Sequence, residues 1–487
     1  MRTIILLVAL LGCVIIPSDH RLISTGDDDD YFAVASSIAF GKFPSFSDEF
    51  HAGQKMPFAS VGPGVLASPF VAAFSVVDWI NDAPITQRRD KENRYWTWSL
   101  FGFHFSVYFY FLCGVSLTYA TCKMWSTELG ARLSTIAIVV GGGGILIYVF
   151  RRPVMSHVFE FLSISLGVYL ISRSLKGRNF LLHPELIGLC AALIFLTRYN
   201  NAFLAAALVC VFIFIRWKGA KQLDAKLIAR AAAASLVPVF IFRILPVIAN
   251  GYSEYDQAYG GGLTRIIPAA DPLFYWNRTG EILFGPDMGL LYTAPIIILS
   301  LIGLYRQKNF VPKELLFLTA FAAVNFYFAI IWKSFGSYYG YRYVVFTASS
   351  LLCIYLALLT DEILASIGKI KTILLYSALM YLPLMSMFAF ERSGKYAFGL
   401  ITTSYGVDTY SQPTYHTQLL ADLIHAPLFP LIHAVTAGWE PLITGVLSPQ
   451  QAAQRMLLYF LPPLIFWVCY ELTRLKRHRS IGLIQSH

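Results

Sequence analysis

Four consecutive aspartates, Asp27–Asp30, are the residues of this sequence whose type and spacing most directly suggest chemistry. Apolar residues follow at intervals of three and four from Tyr31 to Ala39, which predicts a helix with the acidic run at its N-terminus. The helix dipole favours negative charge there, so the run could act only as a cap and a solvated acidic face. Four adjacent carboxylates also repel one another, and a metal ion or a substrate proton would relieve this repulsion.

Several cations at the ends of apolar runs could bind an anionic substrate. Arg342 lies in a turn rich in glycine and tyrosine, and a guanidinium can bind a phosphate group through two hydrogen bonds. Lys333 lies in the same stretch, and Arg151 and Arg152 come shortly before His157 at the start of another apolar run. A purely structural role is also possible for each of these residues. An arginine at the end of a span is commonly an interfacial anchor, and a histidine there can simply form hydrogen bonds at the helix end.

Two further arginines could likewise have either a functional or a purely structural role. Arg198 ends an apolar run, where an interfacial anchor is expected. Arg243 lies within a run, where a charge is expensive and suggests function, although snorkelling or a buried pair would also explain it.

The elements that must position these residues are membrane-spanning helices. Of the 487 residues, 56% are hydrophobic and 14% are charged, whereas a soluble protein carries about 25% charged residues. A spanning helix needs about 20 apolar residues. We expect spans at 3–17, 99–122, 133–150, 154–172, 186–198, 200–216, 230–249, 288–305, 314–332, 343–360, 371–390 and 455–473. The predicted fold class is therefore an all-α polytopic membrane protein with about twelve transmembrane helices and a helical first external loop.

The positive charges favour one orientation in the membrane. The net charge of +10 resides largely in short loops that alternate between rich and poor in Lys and Arg, as the positive-inside rule predicts, so nucleic acid is not an expected partner. Both termini are then cytoplasmic, and the segments 18–98, 250–287 and 391–454 face outward. Residues 58–80 are apolar but contain prolines and glycines, which favours an interfacial or re-entrant segment.

The place of the acidic run resembles a feature of a known family. An acidic pair followed by Tyr in the first external loop of a many-span protein is similar to the family C (GT-C) membrane glycosyltransferases. These include protein O-mannosyltransferases, the aminoarabinose transferases of lipid A and the catalytic subunit of oligosaccharyltransferase. Asp27-Asp28, Gly41 and the stretch 61–70 follow the family order of acidic pair, helix, glycine and Pro/Gly-containing apolar stretch, and the stretches 284–295 and 332–343 fit bacterial members.

The resemblance covers about residues 1–360, with the first external loop at 18–98. It leaves 361–487 as a C-terminal transmembrane region with an external loop at 391–454. It implies transfer of a sugar from a polyprenyl-phosphate donor to a glycan, lipid or protein acceptor. Such a protein is expected among the lipids of a bacterial inner membrane, with its active site facing the periplasm or the exterior.

The resemblance also implies roles for residues. Asp27 would be the base for the acceptor hydroxyl, with Asp28 orienting it. Asp28 and Asp29 would hold a divalent cation, Mg²⁺ or Mn²⁺, where one is used. The substrate-binding residues would be Tyr31, Arg151, Arg152, His157, Lys333 and Arg342.

Two other functions fit a chain with many spans. An O-antigen polymerase or ligase also has many spans and large external loops, but an acidic cluster directly after the first span is not expected of it. A secondary transporter should show two related halves and ionisable residues near the middle of the membrane. The halves of this sequence do not resemble each other, and nearly all charges lie at the edges of the predicted spans.

Overall fold

The computed structural model describes most of the chain. The described residues are 1–15, 27–46, 59–81, 97–142, 144–150, 153–177, 183–220, 225–251, 272–285, 289–331, 342–392, 423–428, 431–432, 435, 439–440, 443–445 and 447–485. Within these ranges the regular elements are all helical.

The helices follow the predicted apolar runs. They are α1 (Arg2–Ile15), α2 (Asp27–Ala39), α3 (Gly62–Ile80), α4 (Trp98–Trp125), α5 (Glu128–Gly141), α6 (Ile145–Phe150), α7 (His157–Leu175), α8 (Pro184–Thr197), α9 (Ala202–Ala220), α10 (Ala225–Val239), α11 (Leu245–Asn250), α12 (Pro272–Phe284), α13 (Leu290–Thr293), α14 (Pro295–Gln307), α15 (Lys313–Ile331), α16 (Arg342–Ile367), α17 (Lys369–Arg392) and α18 (Pro449–Gln485). A 3-10 turn, Tyr199–Asn201, joins α8 to α9, and a π-helical turn, Phe240–Ile244, joins α10 to α11.

The helices of the described ranges are those of a membrane protein. Eight are long and apolar enough to cross a membrane: Gly62–Ile80, Trp98–Trp125, His157–Leu175, Tyr199–Gly219, Ala225–Asn250, Val345–Ile367, Lys369–Phe388 and Pro449–Thr473. Shorter apolar helices are Arg2–Cys13, Pro184–Thr197 and Pro295–Gln307. The predicted fold class, an all-α polytopic membrane protein, is confirmed, while the number of spans stays a prediction.

The predicted span at 133–150 is divided in two. α5 ends at Gly141 and α6 begins at Ile145, so the break falls on the run of four glycines at 141–144. Gly144 has a φ of +85°, a left-handed conformation that glycine adopts readily because it has no Cβ. α6 is therefore a separate helix of six residues, and all of them are buried.

Contacts between helices define two ends of the bundle. α4, α7 and α16 begin at one end, and α8 and α15 end there. The contacts that set these directions are Phe103–Phe159, Thr118–Ser165, Cys190–Ser163, Arg198–His157, Asn325–Thr347 and Thr347–Glu160. We call this end of the bundle the site end.

The opposite end carries loops that the sequence predicts to be rich in positive charge. There Lys123 and Arg132 pair with Glu128 at 3.1 and 3.0 Å, and Arg306 pairs with Glu362 at 3.0 Å. The loops rich in Lys and Arg thus lie at one end of the bundle, and the loops poor in them lie at the other. The assignment of this opposite end to the cytoplasm stays a prediction.

α3 lies along the site end. It runs antiparallel to the first half of α4, because Tyr110 Oη donates to the Leu66 carbonyl at 3.0 Å and Asp78 accepts from the backbone N–H of Trp98 at 2.7 Å. Its first residue, Gly62, packs against the last turn of α8. Both ends of α3 are therefore anchored at the site end, although its length and composition would allow it to cross a membrane.

Replacing Gly62 by alanine should weaken the docking of α3. The new Cβ would lie 2.6 Å from backbone atoms of Leu196 and Thr197, so a helix has to shift. We expect a destabilisation of about 1–3 kcal/mol, seen as a lower thermal unfolding temperature of the detergent-solubilised protein. Gly219→Ala is the control, because its Cβ would meet nothing within 4 Å. Equal unfolding temperatures for the two variants would contradict this packing.

Candidate functional site

A buried group of side chains, which we call the polar cluster, surrounds the carboxylate of Glu160. Its members are His157, Glu160, Arg198, Asn201, Asn325 and Thr347. Glu160 is 1% exposed, and its Oε1 accepts hydrogen bonds from Asn201 Nδ2 at 2.9 Å and Thr347 Oγ1 at 2.7 Å. A carboxylate so deeply buried needs such donors and a nearby cation in place of water.

The nearby cation is Arg198. Its Nη1 lies 2.8 Å from His157 Nδ1 and 3.5 Å from Glu160 Oε2, and its side chain is 12% exposed. An arginine can only donate hydrogen bonds, so His157 Nδ1 is the acceptor and this ring carries its proton on Nε2. Both contacts use the same nitrogen, which fixes the plane of the guanidinium at the edge of the polar cluster.

A break between helices brings these groups together. α8 ends one residue before Arg198, whose backbone is extended, and the 3-10 turn Tyr199–Asn201 follows. Asn201 Oδ1 accepts from Asn325 Nδ2 at 2.6 Å, and the same amide nitrogen lies 3.3 Å from Thr347 Oγ1. α15 and α16 thus supply the amide and the hydroxyl that complete the polar cluster around Glu160 of α7.

The acidic start of α2 is tied to this place through the residues before α3. Asp30 Oδ2 accepts from the backbone N–H of Ala59 at 3.3 Å. The hydroxyl of the next residue, Ser60, donates to the carbonyl of Thr197 at 2.7 Å. Because Thr197 directly precedes Arg198, these contacts connect the first turn of α2 with the residue that carries the guanidinium.

The predicted catalytic residues open α2. The helix begins at Asp27, so the acidic run forms its first turn. The side chains of Asp27, Asp28 and Asp29 lie outside the described part of the structure, and their roles as base, orienting group and metal ligands stay predictions. Tyr31, a predicted substrate-binding residue, is 7% exposed and packs in the hydrophobic core.

The predicted cations fall at helix ends or outside the described ranges. Arg342 begins α16 five residues before Thr347, a distance of about 7.5 Å along the helix axis. Its side chain is not among those described, and Arg151, Arg152 and Lys333 lie outside the described residues. Their contacts with substrate stay predictions. His157, in contrast, is brought into the polar cluster.

The described residues offer no metal centre. No group of three or more His, Cys, Asp or Glu side chains among them is placed to hold a metal ion. The polar cluster pairs its carboxylate with a guanidinium, whose positive charge disfavours a second cation there. A divalent cation at Asp28 and Asp29 stays a prediction.

Sequence reasoning overlooks four members of the polar cluster, Glu160, Asn201, Asn325 and Thr347. A signal exists for Glu160, because it is the only charged residue of the predicted span 154–172 and an ionisable residue within an apolar span indicates a functional or pairing role. The uncharged members give no such signal. Asn201 and Asn325 are 124 positions apart, and the fold alone brings them together.

Comparison with known proteins finds a distant structural similarity. No protein-family model and no curated protein matches the sequence. Among solved structures, the chain is similar to the oligosaccharyltransferase of Archaeoglobus fulgidus, crystallised tethered by a disulfide to an acceptor peptide with the NVT sequon. The match covers 94% of this chain and 58% of that chain, at 12% identity and a TM-score of 0.42.

Removing the Glu160 carboxylate should lower the stability of the protein. Glu160→Ala removes the carboxylate that accepts hydrogen bonds from Asn201 and Thr347 and pairs with Arg198. Removing one partner of a buried ion pair costs about 3–5 kcal/mol, so we expect a loss of that size in stability. Ser163→Ala, on the same helix, is the matched control, because its buried hydroxyl bonds to the carbonyl of Phe159 within α7. Thermal unfolding in detergent compares the two. A Glu160→Ala protein as stable as Ser163→Ala would show that the carboxylate does not hold these groups together.

Proposed function

We propose that the protein is a membrane glycosyltransferase that moves a sugar from a polyprenyl-phosphate donor to an acceptor hydroxyl at the site end. The observation that carries this proposal is the connection between the acidic first turn of α2 and the largely buried guanidinium of Arg198. Transfer from a lipid phosphate requires a base for the acceptor and a cation for the departing phosphate. The acidic first turn of α2 would supply the base and Arg198 the cation, and the loop charges favour the outer face of the membrane for the site end.

In the proposed reaction, the acceptor oxygen attacks the anomeric carbon of the donor sugar. The bond between that carbon and the phosphate oxygen breaks, and its electron pair goes to the phosphate. Asp27 takes the proton of the acceptor hydroxyl, with Asp28 orienting it. Polyprenyl phosphate leaves as an anion without a general acid, and the guanidinium groups of Arg198 and Arg342 stabilise its charge.

The contacts of Arg198 suit a residue that stabilises the charge of the departing phosphate. Glu160 and His157 approach the same guanidinium nitrogen, so the fork is oriented before an anion arrives. A pre-oriented guanidinium loses less side-chain entropy when it binds phosphate. Arg342 stands at the start of α16, the helix that supplies Thr347 to the same cluster. The two arginines therefore come from elements that meet at the polar cluster.

Asp27→Asn tests the assignment of the base. The substitution keeps the size of the side chain but removes its basicity, and a positioned general base contributes about 10²–10⁴-fold in rate. We expect a loss of that size in single-turnover sugar transfer from purified lipid donor, with donor binding retained.

Asp30→Asn is the matched control for that experiment. Its amide oxygen can still accept from the N–H of Ala59, so the link between α2 and α3 survives and transfer should fall little. Loss concentrated at Asp29 or Asp30 would move the base to another aspartate. Full activity in Asn variants of all four would refute an acidic mechanism.

Arg342 variants test the phosphate site. Arg342→Lys keeps the charge but loses the planar fork, so donor affinity should fall, and Arg342→Ala should lower it further, by roughly tenfold or more. Lys333→Ala should have a smaller effect. Titration of the donor lipid into purified protein measures these affinities, and an unchanged affinity in both Arg342 variants would exclude this residue from the site.

A further inference from the structure

Arg243 is the only charged residue in the stretch 231–250, and it is not a member of the polar cluster. It lies in the π-helical turn Phe240–Ile244. Phe240 and Ile244 are 49% and 44% exposed, which suits a surface that faces lipid, whereas Arg243 is half-buried. A charge within an apolar span is costly unless its contacts compensate it, so the contacts of this guanidinium indicate its role.

The Arg243 guanidinium lies over the ring of Tyr199, with its Cζ 4.5 Å from the ring centroid. Tyr199 directly follows Arg198 and opens the 3-10 turn that ends at Asn201. The same ring contacts Phe195 of α8, with centroids 5.3 Å apart. A cation is attracted to the face of an aromatic ring, and the attraction is stronger away from water. Arg243 therefore restrains the residue next to Arg198.

α10 brings Arg243 to this place because it runs beside α8 in the same direction. Near the start of both helices Arg230 pairs with Glu185, and near their ends Val239 packs in the same apolar cluster as Leu196. The two helices therefore reach the site end together. The π-helical turn follows the end of α10 at the level where the 3-10 turn follows the end of α8.

The π-helical turn sets which side chain meets Tyr199. The backbone N–H of Leu245 donates to the carbonyl of Phe240, five residues earlier, and Pro246 has no N–H with which to continue an α-helical ladder. The wider winding of a π-helical turn keeps Arg243 on the face of the helix that packs against α8. Such turns occur frequently at functional sites.

The same turn also contacts the chain that follows the acidic helix. The ring centroids of Phe242 and Phe43 are 5.7 Å apart. Asn250 of α11 donates from Nδ2 to the carbonyl of Pro44 at 2.7 Å. The π-helical turn and α11 thus contact both the segment after α2 and the turn after α8.

We propose that Arg243 is a positioning residue for the Arg198 guanidinium and acts through the Tyr199 ring. His157 and Glu160 hold the head of the Arg198 side chain. Arg243 holds Tyr199, and with it the backbone from which that side chain extends. This inference rests on the proposed function, in which Arg198 binds the donor phosphate. In this role Arg243 touches neither donor nor acceptor.

Titration of the donor lipid into the purified full-length protein tests this role. Arg243→Leu should weaken donor affinity by roughly three- to tenfold, the value of a partly desolvated cation over a ring, with the KM for the acceptor unchanged. Arg243→Lys keeps a cation over the ring and should restore most of the affinity. Arg230→Leu is the matched control, because it removes an arginine of the same helix at the opposite end, and its donor affinity should equal that of the wild type.

Double variants separate positioning from direct contact with phosphate. Tyr199→Leu should weaken donor binding, whereas Tyr199→Phe keeps the ring and should not. Arg243→Leu should cause no further loss in Tyr199→Leu or in Arg198→Gln, because effects that act through one group are not additive. A full additional loss in both backgrounds would make Arg243 a phosphate ligand and overturn the proposal. An unchanged affinity in Arg243→Leu, when Arg198→Gln weakens binding, would overturn it too.

Chemical modification of Arg198 tests the positioning without any donor. Phenylglyoxal reacts with accessible guanidinium groups, and the Arg198 side chain is only 12% exposed. Its rate of modification, measured by mass spectrometry of peptides, should rise in Arg243→Leu and stay at the wild-type value in Arg230→Leu. If Arg243→Leu does not fold, Arg243→Gln replaces it in each measurement.

The modification rate also distinguishes this inference from the proposed function. An unchanged rate at Arg198 in Arg243→Leu refutes the positioning role. A raised rate, together with wild-type donor affinity in Arg198→Gln, supports the positioning role and refutes the part of Arg198 in donor binding.

Discussion

The arrangement of the site depends on one buried carboxylate, that of Glu160. A charge removed from water must be compensated, and this one is compensated by an amide of the 3-10 turn, a hydroxyl of α16 and the guanidinium of Arg198. The partners are 38 to 187 positions away along the sequence. The hydrogen bonds to the Glu160 carboxylate therefore fix the relative positions of several helices. They also fix the position of the Arg198 guanidinium. The same hydrogen bonds therefore hold the helices together and orient the Arg198 guanidinium.

Glycines determine how closely the acidic helix approaches this centre. The backbone of Gly62 lies against the last turn of α8, and a Cβ on Gly64 would lie 2.5 Å from a side-chain atom of Val34 in α2. Small residues allow such close approach between helices in a membrane. α3 can therefore pack between the acidic helix and the end of α8. The hydrogen bond from Ser60 to Thr197 then sets the register of this packing.

The sequence predicts the helices and their ends more completely than it predicts the site. Hydrophobic runs and loop charges are local properties, so the helix that begins with the acidic run and the positive loops at one end follow from neighbouring residues. The break at 141–144 does not follow, because glycines in an apolar run are equally compatible with close packing, and the backbone of Gly144 decides between the two. The polar cluster is the least predictable part, since Asn201, Asn325 and Thr347 are uncharged and converge only in the folded chain.

α6 lies between the polar cluster and the last turns of α1. Tyr148 and Phe150 are two residues apart, about 200° around the helix axis, so they face opposite sides. A helix this short forms few internal hydrogen bonds, so packing on its two sides sets its position. On one side Phe150 packs on Tyr108 of α4 and lies beside Gly12 of α1. On the other side the Tyr148 ring packs on His157, the residue that accepts a hydrogen bond from Arg198. The packing of α1 and α4 on this short helix therefore contributes to the position of the histidine that orients the cation.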